Sequence, residues 1–528
     1  MSEAPEQLER NALQIHCTPR GRGRTAPPSL CLAGHERKTA MIGLQELASR
    51  LRQSESEDHF VELLRTAEVD FLDLRFTDIA GRWHHVTLPT TRLNAVRLVR
   101  GVGFDGSSVP GFGAVESGDM VLIPDRATAT VEEHADHLAV AMIASAADAD
   151  TQAPFRLDPR VIASRAENVL EDSGHADLSL WSPELEFYLF TGVTYGSASD
   201  GSYYFVQSEE TGWLPEDDLE PQLGYRIRSR SGYHAIPPSD AYYQVRNEIA
   251  AAMEETGIPI KYHHHENGAP GQSEIELEPA TLRLAADSIM MGKYIVRNTA
   301  ADWDLASTFM PKPLAEEPGS GLHFHIKLIK DGRPVFHREG GYAGLSEEAL
   351  FFIGGVLRHG RALAAITNPS TNSYRRLRPG YEAPTNLFFS AANRSAAIRI
   401  PKYANSPETK TIEFRPSDAS CNPYLAVSAI LAAGLEGMTN RIDPRESGFG
   451  PFDTNIHELP DAERDRISPL PSTLEEALEA LADDGDFLSG SGIFPEEFVQ
   501  VWLDMKRADC KEVGARPHPA EYDLYFDC

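Results

Sequence analysis

LWSPELEFYLF, residues 180 to 190, is the stretch that decides the fold of this chain. Its apolar residues surround Glu184 and Glu186, which are two positions apart and therefore lie on one face of a β-strand, where side chains alternate with period two. Two carboxylates on one face of an apolar strand do not belong to an ordinary core, because burying an unpaired charge is costly. The stretch predicts a strand that faces a cation-binding site.

Three further stretches repeat the every-second-residue pattern: HHHENGAPGQSEIELE (263–278), GSGLHFHIKL (319–328) and TIEFRP (411–416). The side chains that they add on strand faces or beside a Gly/Pro turn are Glu266, Glu274, His323, His325, Glu413 and Arg415. Taken singly, an acidic strand is more often a solvated face, and a run of histidines is more often a surface loop. Together they favour a cage for Mg²⁺ or Mn²⁺ rather than zinc, because most of the ligands are oxygen atoms.

An arginine-rich segment lies between the last two of these strands. NRSAAIRI (393–400) contributes Arg394 and Arg399, and NSYRRL (372–377) contributes Arg376. Guanidinium groups bind phosphate and carboxylate through paired N–H donors. Carboxylates that hold metal ions, facing arginines that hold an anion, are typical of phosphoryl transfer, where catalysis is mostly positioning and charge neutralisation. The sequence has no Walker-type glycine loop or kinase signature.

Composition limits the classes of partner. The chain has 528 residues, with 49 Lys and Arg against 79 Asp and Glu, for a net charge of -30. That charge argues against nucleic acid and anionic membranes as partners. The five cysteines, at positions 17, 31, 421, 510 and 528, form no disulfide framework or paired metal motif, which favours a reducing cytoplasm. No apolar run reaches the ~20 residues that span a bilayer.

The chain divides into three parts. Residues 1–40 mix Pro, Gly and Arg without an apolar period and are predicted to be a disordered extension, or a mis-assigned start with the natural one at Met41. Residues 41–148 contain hairpin-like strands and predict a small β-rich domain. Residues 149–528 alternate strands and helices and are expected to form the catalytic domain with a C-terminal tail.

Two helix starts are marked by serine residues. Ser346 precedes two glutamates and an apolar periodic stretch, and so predicts an N-cap. Ser472, with Glu475 three positions later, predicts a capping box for LEEALEAL. A third helix is expected to open at Pro495.

The chain resembles a type I glutamine synthetase from about Leu44 to the C-terminus. The matching segments follow the order of that family: DLRFTD (73–78), FDGSS (104–108), DMVLIPD (119–125), PELEF (183–187), HHHE with GQSE (263–274), TFMPKP (308–313), GSGLHFH (319–325), NSYRRLRPGYEAP (372–384), NRSAAIRIP (393–401), IEFRPSD (412–418) and NPYL (422–425). The resemblance implies an α+β fold with a small β-grasp N-terminal domain. It also implies a large catalytic domain whose curved antiparallel sheet forms a partial barrel flanked by helices.

The resemblance also implies a reaction and its binding residues. ATP would phosphorylate the side chain of L-glutamate, and ammonia would displace the phosphate to give glutamine. Of two or more divalent ions per site, one would be held by Glu186, Glu266 and Glu274, and another by Glu184, His323 and Glu413. The implied glutamate binders are Gly319, Tyr233, Arg376, Glu382 and Arg415, and the implied ATP binders are His325, Lys327, Arg394 and Arg399, with Glu382 and Arg394 also counted as catalytic.

Ammonia chemistry needs a carboxylate that binds ammonium and takes its proton. Asp105 in the FDGSS loop matches that role, although alone it would be an ordinary Asp-Gly turn. By the resemblance, this loop reaches the site of the next subunit in two stacked hexameric rings, where Tyr233 and Glu382 complete the pocket. Glu382 lies in a Gly/Pro-bounded segment that is expected to be a mobile flap shielding the acyl phosphate.

Among the departures from the family's pattern, three lie near the substrate and nucleotide positions. Pro318 replaces the usual asparagine beside the glutamate site, Lys261 replaces an acidic residue near the nucleotide, and Thr411 replaces a common arginine. Because Pro318 resembles relatives that use larger amines, a γ-glutamyl-amine ligase acting on a polyamine or ethanolamine-type nucleophile is the alternative function. A non-catalytic structural relative is the third possibility, and the intact metal ligands argue against it.

Overall fold

The computed structural model describes residues 43–113, 118–134, 137–211, 213, 224–380, 383–454, 456–460, 464 and 466–528. The predictions for residues 1–40, including the start at Met41, lie outside these ranges. So does Glu382, the predicted flap residue.

A six-stranded sheet forms the N-terminal part. Its strands are β1 (Phe71–Thr77), β2 (Trp83–Pro89), β3 (Val102–Asp105), β4 (Asp119–Pro124), β5 (Thr130–His134) and β6 (His137–Asp148). The order is β2-β1-β6-β4-β3, with β5 beside β6, and β1 pairs with β6 in parallel while the other pairs are antiparallel. The helices here are α1 (43–52), α2 (Glu57–Thr66) and α3 (Ala95–Arg100).

This part has an apolar core of its own. Phe60 of α2 packs with Leu72 and Leu74 of β1 and with Val140 of β6, all of them fully buried. The polar residues of β1 are also buried, because Arg75 is paired with Asp73 and with Glu132. The central strand is thus covered on both faces.

A ten-stranded sheet forms the larger part and carries the predicted cage. Its strands are β7 (Leu178–Phe190), β10 (Ile260–His265), β11 (Gln272–Leu277), β12 (Ala280–Thr281), β13 (Ala306–Thr308), β14 (Leu322–Lys330), β15 (Arg333–Pro334), β16 (Asn386–Ala391), β17 (Ala396–Ile400) and β18 (Ile412–Phe414). The main order is β10-β11-β7-β14-β18-β17-β16. The expected antiparallel pairing holds in the sheet except between β16 and β17, which are parallel. Strands β8 (Gly192–Ser197) and β9 (Ser202–Gln207) form a separate hairpin.

Helices cover the large sheet. They are α4 (Pro159–Asp172), α5 (Tyr243–Thr256), α6 (Leu282–Asp302), α7 (Glu347–Arg358), α8 (Gly360–Thr367), α9 (Ser373–Arg376), α10 (Pro423–Thr439), α11 (Leu474–Asp484), α12 (Asp486–Gly490), α13 (Phe498–Gly514) and α14 (Pro519–Tyr525). Helix α10 is buried on nearly all sides and is apolar all round, as expected of a central core helix. The predicted α+β fold class is confirmed.

The predicted helix starts met different outcomes. Ser346 caps α7 as predicted, since its side chain accepts from the N–H of Ala349. The prediction for Ser472 was wrong by one residue, because Thr473 takes the extended cap conformation and accepts from the N–H of Glu476. The helix expected at Pro495 begins at Phe498.

The two parts dock through the turn between β1 and β2. The side-chain amide of Asn422, which also caps α10, donates to the carbonyls of Asp78 (3.1 Å) and Ile79 (3.2 Å). Gly81 has φ +86° in this turn, and a Cβ there would come within 2.9 Å of the Asn422 Cα. Glycine therefore allows the turn to sit directly on the start of the core helix.

In the part of the chain that the structure describes, no single helix is long and apolar enough to cross a membrane. The pair α7 and α8 passes that test only when taken together, and the two helices are bent by 73° at their junction.

Candidate active site

Strand register brings the predicted carboxylates together. Glu274 lies opposite Glu186 and Glu276 lies opposite Glu184 in the pairing of β11 with β7. On the other side of β7, His323 lies opposite Glu184. The sequence spacing sets which residues share a face, and the pairing brings those faces side by side in one cavity.

Glu184 is the centre of one cluster. Its two carboxylate oxygens contact Nδ1 of His323 and Nε2 of His325, each at 2.8 Å. Burial alone would raise the pKa of Glu184, but these two imidazoles hold it well below its ordinary value. Ligand atoms of Glu184, His325 and Glu413 all lie within 4.8 Å of one another, close enough to share one cation.

A second cluster joins Glu266, Glu274 and His264, whose ligand atoms also lie within 4.8 Å of one another. Burial, and then repulsion from neighbouring carboxylates, raises the pKa of both Glu266 and Glu274 well above the ordinary value. Such a set is stable in its ionised form only when a positive charge lies between its members. Oxygen-rich donors with one imidazole in each cluster fit Mg²⁺ or Mn²⁺.

Arginines line the same cavity as the carboxylates. Arg399 and Arg415 each donate to one oxygen of Glu413. Burial tends to raise the pKa of Glu413, but Arg415 keeps it below the ordinary value. This carboxylate is therefore ionised and already paired with two guanidinium groups.

Arg376 is held rigidly behind the first cluster. Its guanidinium donates to the carbonyls of Pro416 (2.7 Å) and Arg415 (3.2 Å) and lies 3.2 Å from Nε2 of His323. Since it is almost wholly buried, its position is fixed before any ligand binds.

Arg394 and Tyr233 meet at the mouth of the cavity. The Arg394 guanidinium lies 5.8 Å from the centre of the Tyr233 ring. The Tyr233 hydroxyl oxygen accepts a hydrogen bond from Arg394, which raises the pKa of Arg394 and orients the two side chains toward each other. Both residues line the cavity.

Gly319 lines the cavity next to the second cluster. Its carbonyl accepts from the side-chain amide of Gln272 at 3.0 Å, and the same amide lies 3.4 Å from Glu186. A Cβ at this position would approach the carbonyl of Pro311 at 2.5 Å, so the backbone passes here only as glycine.

Two predicted residues lie away from this cavity. Lys327 donates to the carbonyl of Glu408 at 2.7 Å, and Asp105 is an exposed residue at the end of β3. The described residues that line the cavity include neither of them. The Asp105 carboxylate accepts from the N–H of Ser107 and the hydroxyls of Ser107 and Ser108, and these bonds lower its pKa. Their predicted roles stay predictions.

The sequence reasoning assigned no role to Tyr262, His264, Gln272 and Tyr403, which line the cavity, or to Glu276, which pairs with Lys261. His264 and Glu276 carry the same every-second-residue signal as their neighbours, in HHHE and EIELE, and could have been included. Lys261 and Tyr262 depend on an irregularity in strand pairing that the sequence does not display.

Two families of known domains match the chain. The glutamine synthetase catalytic domain matches residues 156–525, and the glutamine synthetase beta-Grasp domain matches residues 68–149. The glutamine synthetase of Frankia alni is 44% identical over 466 residues, which cover 88% of this chain and 98% of that protein. That of Aquifex aeolicus (strain VF5) is 43% identical over 470 residues, covering 89% of this chain and 98% of that protein.

Solved structures give the same result for the fold. The cryo-EM structure of Plasmodium falciparum glutamine synthetase has a TM-score of 0.81 at 25% identity, covering 89% of this chain and 99% of that chain. A ligand-free structure of GmaS has a TM-score of 0.72 at 25% identity with the same coverage. The large sheet is therefore curled into the expected partial barrel, and the six-stranded sheet is a β-grasp domain.

Proposed function

The chain belongs to the glutamine synthetase family, and on this premise we propose that its cavity catalyses the ATP-dependent ligation of ammonia to the side chain of L-glutamate. The observation that carries the proposal is the pair of carboxylate–histidine clusters facing four arginines in one cavity. Phosphoryl transfer from ATP to an anionic acceptor would need both kinds of group at once, carboxylates that could hold cations and arginines that could hold anions.

The first step is transfer of the γ-phosphoryl group. A side-chain oxygen of glutamate attacks the γ-phosphorus of ATP, the bond to the bridging oxygen breaks, and ADP leaves. Arg376 and Arg415 orient the glutamate carboxylates, with the Gly319 backbone beside them, while Arg394 and Arg399 stabilise the charge on the transferred phosphoryl group. His325 and Lys327 are assigned to the nucleotide phosphates.

Divalent ions neutralise the phosphates and polarise the transferred group when they are bound. Glutamine synthetase family membership brings ATP and divalent metal use with it. We assign two or more Mg²⁺ or Mn²⁺ ions to each site: one to Glu186, Glu266 and Glu274, and another to Glu184, His323 and Glu413. The structure adds His264 to the first group and His325 to the second as candidate ligands.

The second step is attack by ammonia on the carbonyl carbon of γ-glutamyl phosphate, which releases phosphate. Asp105 would bind ammonium and take one proton, so that neutral ammonia attacks. The lowered pKa keeps the carboxylate ionised, which supports the binding of ammonium, while the proton transfer is assigned on the family resemblance alone. Glu382 and Tyr233 are assigned to the wall of the ammonium pocket.

Asp105 can act in this way only if another subunit supplies the cavity. We therefore propose a homo-oligomer of two stacked hexameric rings. Exposed aromatic side chains support association: Phe526 near the end of α14 is 81% exposed, and Tyr195 of the β8–β9 hairpin is 78% exposed. We also propose that the enzyme works in the cytoplasm, which the free thiols of Cys421 and Cys510 suit.

A larger amine remains the second candidate nucleophile. Pro318, the departure from the family's pattern, lines the cavity and its carbonyl accepts from the hydroxyl of Tyr188 at 2.6 Å. The backbone N–H that another residue would offer here is absent in proline.

The test measures phosphate release from ATP and glutamate with ammonia, putrescine, spermine and ethanolamine in turn. Ammonia is expected to give the highest kcat/KM. Faster turnover of any larger amine would favour the γ-glutamyl-amine ligase, and no phosphate release with any amine would contradict both candidates.

A further inference from the structure

A second large cleft, of about 900 Å³, lies between the N-terminal part and helix α4. Its lining residues come from the end of α1, the end of β4 and the turn after it, the end of β6, and α4. No described residue lines both this cleft and the active-site cavity. The cleft is therefore a separate feature of the fold.

The cleft is cationic in a chain that is strongly anionic. The whole chain has a net charge of -30, yet the described lining contains four arginines and one carboxylate, that of Asp125. The arginines are Arg52, Arg126, Arg160 and Arg165. A cleft lined by charges of one sign focuses their field and concentrates ions of the opposite sign.

Two of these arginines are matched by carboxylates of the fold. Arg160 donates to Asp125 at 2.7 Å and to both oxygens of Asp287 at 2.9 Å. Arg126 lies 3.2 Å from the carboxylate of Glu57. Their charges are therefore largely balanced before any ligand enters the cleft.

The other two arginines are held by carbonyl groups instead. Arg52 donates to the carbonyl of Ala129 at 2.9 Å, and Arg165 donates to the carbonyl of Ile493 at 2.7 Å. A carbonyl accepts an N–H but does not neutralise a guanidinium, which has five N–H donors. Among the described residues, neither Arg52 nor Arg165 forms an ion pair with a carboxylate. Both side chains are fixed in place and still carry an unmatched charge.

The surroundings of Arg165 make that charge unfavourable. The side chain is half-buried, and burial and then repulsion from Arg156 lower its pKa. Glu497 acts in the opposite sense, but it lies 3.6 Å from Arg156. An anion in the cleft would offset both unfavourable effects.

Helix α4 turns one polar face toward the cleft. Val161, Ser164, Arg165 and Asn168 follow the spacing i, i+3, i+4 and i+7, and all four line it. This face offers a hydroxyl and an amide beside the guanidinium and carries no carboxylate. Such a set of groups suits an oxyanion better than a cation.

We propose that this cleft binds a small, multiply charged oxyanion, with phosphate or carboxylate groups, and that Arg52 and Arg165 are its principal ligands. The bound anion joins α1 of the N-terminal part to α4 of the catalytic part. The inference goes beyond the proposed function and does not depend on it.

Calorimetric titration with pyrophosphate and with citrate tests the inference and distinguishes the two kinds of anion. Arg52→Gln and Arg165→Gln should each weaken binding about 10- to 100-fold, the range for a lost hydrogen bond between charged groups. The two substitutions lie on different parts of the fold, so a folding defect in one leaves the other as the test. Tighter binding of pyrophosphate would identify a phosphate ligand, and tighter binding of citrate a carboxylate ligand. Binding of neither anion would overturn the inference.

Two control variants separate the cleft from other effects of charge. Arg97→Gln removes the same charge from an exposed position on α3 and should leave the affinity unchanged. An equal loss in that variant would show that only net charge matters, and would overturn the inference. Arg399→Gln reports on the active-site cavity. Binding that survives both cleft variants and is lost in Arg399→Gln would place the anion in that cavity and would also overturn the inference.

Discussion

Glu274 lies directly opposite Glu186 where β11 pairs with β7. Like charges facing each other across a sheet destabilise it, and both residues are buried here. The arrangement lowers the stability of the metal-free protein, and a bound cation would restore that stability.

Replacing Glu274 with Gln should therefore separate stability from function. The variant removes a charge without changing shape, so its Tm in EDTA should exceed that of wild type. Saturating Mn²⁺ should raise the Tm of wild type more than that of the variant, and turnover should fall about a hundredfold or more.

Glu278→Gln is the matched control, because Glu278 lies four residues further along and is exposed. It should leave Tm and turnover unchanged. Near-normal activity of Glu274→Gln at ordinary metal concentrations would contradict its assignment as a ligand.

Asp105 provides a test of sites shared between subunits. Asp105→Asn should lose most glutamine formation while still binding ADP, because it removes the proton acceptor but keeps the shape. Co-expression with the inactive Glu274→Gln variant should restore part of the activity, since some sites would then combine an intact Asp105 with an intact cage. Purified hybrid oligomers with no more activity than either parent would show that Asp105 does not act in a neighbour's site.

The buried amine of Lys293 should make the stability of the protein increase with pH in the alkaline range. Burial lowers its pKa to about 8, and its Nζ donates to the carbonyl of Ala419 at 2.5 Å. The unfolded chain has the ordinary lysine pKa near 10.4, so between these values the unfolded state binds more protons than the folded state. Burial of the charged amine therefore lowers the free energy of unfolding by about 3 kcal/mol, and this loss is present in full below pH 8 and shrinks as the pH rises.

The measurement compares wild type with Lys293→Met from pH 7 to pH 10. The Tm of wild type should rise relative to the variant above pH 8. Lys511→Met, at an exposed lysine of α13, should show a constant difference. A constant difference for Lys293→Met as well would mean that the buried amine is charged throughout.

The C-terminal helix α14 should be required for assembly. Tyr522 and Phe526 stack on each other and are exposed, at 59% and 81%, although His518 and Glu521 cap the helix firmly. Changing both aromatic residues to Glu should lower the mass measured by light scattering and lower activity with it. Asp523→Asn is the control on the same helix, and an unchanged mass for the double variant would exclude this surface from the interface.

The period-two spacing allowed much of the site to be predicted. Residues on one strand, such as Glu184 with Glu186 and His323 with His325, share a face whatever the fold does around them. Lys327 follows the same spacing, yet it contacts the Glu408 carbonyl, because spacing along one strand does not say where the cavity ends.

Irregular strand pairing was beyond that reasoning. The position of Lys261 depends on a bulge in β10 that residue spacing does not show. The parallel pairing of β16 with β17 has the same origin. Register and bulges follow from how whole strands pack, so local spacing could not reveal them.

Asn422 fastens the β1–β2 turn to the start of α10, and the sheet held by that turn also carries the loop of Asp105. If each Asp105 acts in the site of an adjoining subunit, then the docking of the two parts within one chain determines where its Asp105 carboxylate lies in the neighbour's site. Loss of the Asn422 hydrogen bonds would then lower turnover in the neighbour's site while leaving the cavity of the same chain unchanged. In a closed ring, the turnover of each subunit would then depend on how firmly the two parts of the adjoining subunit are docked.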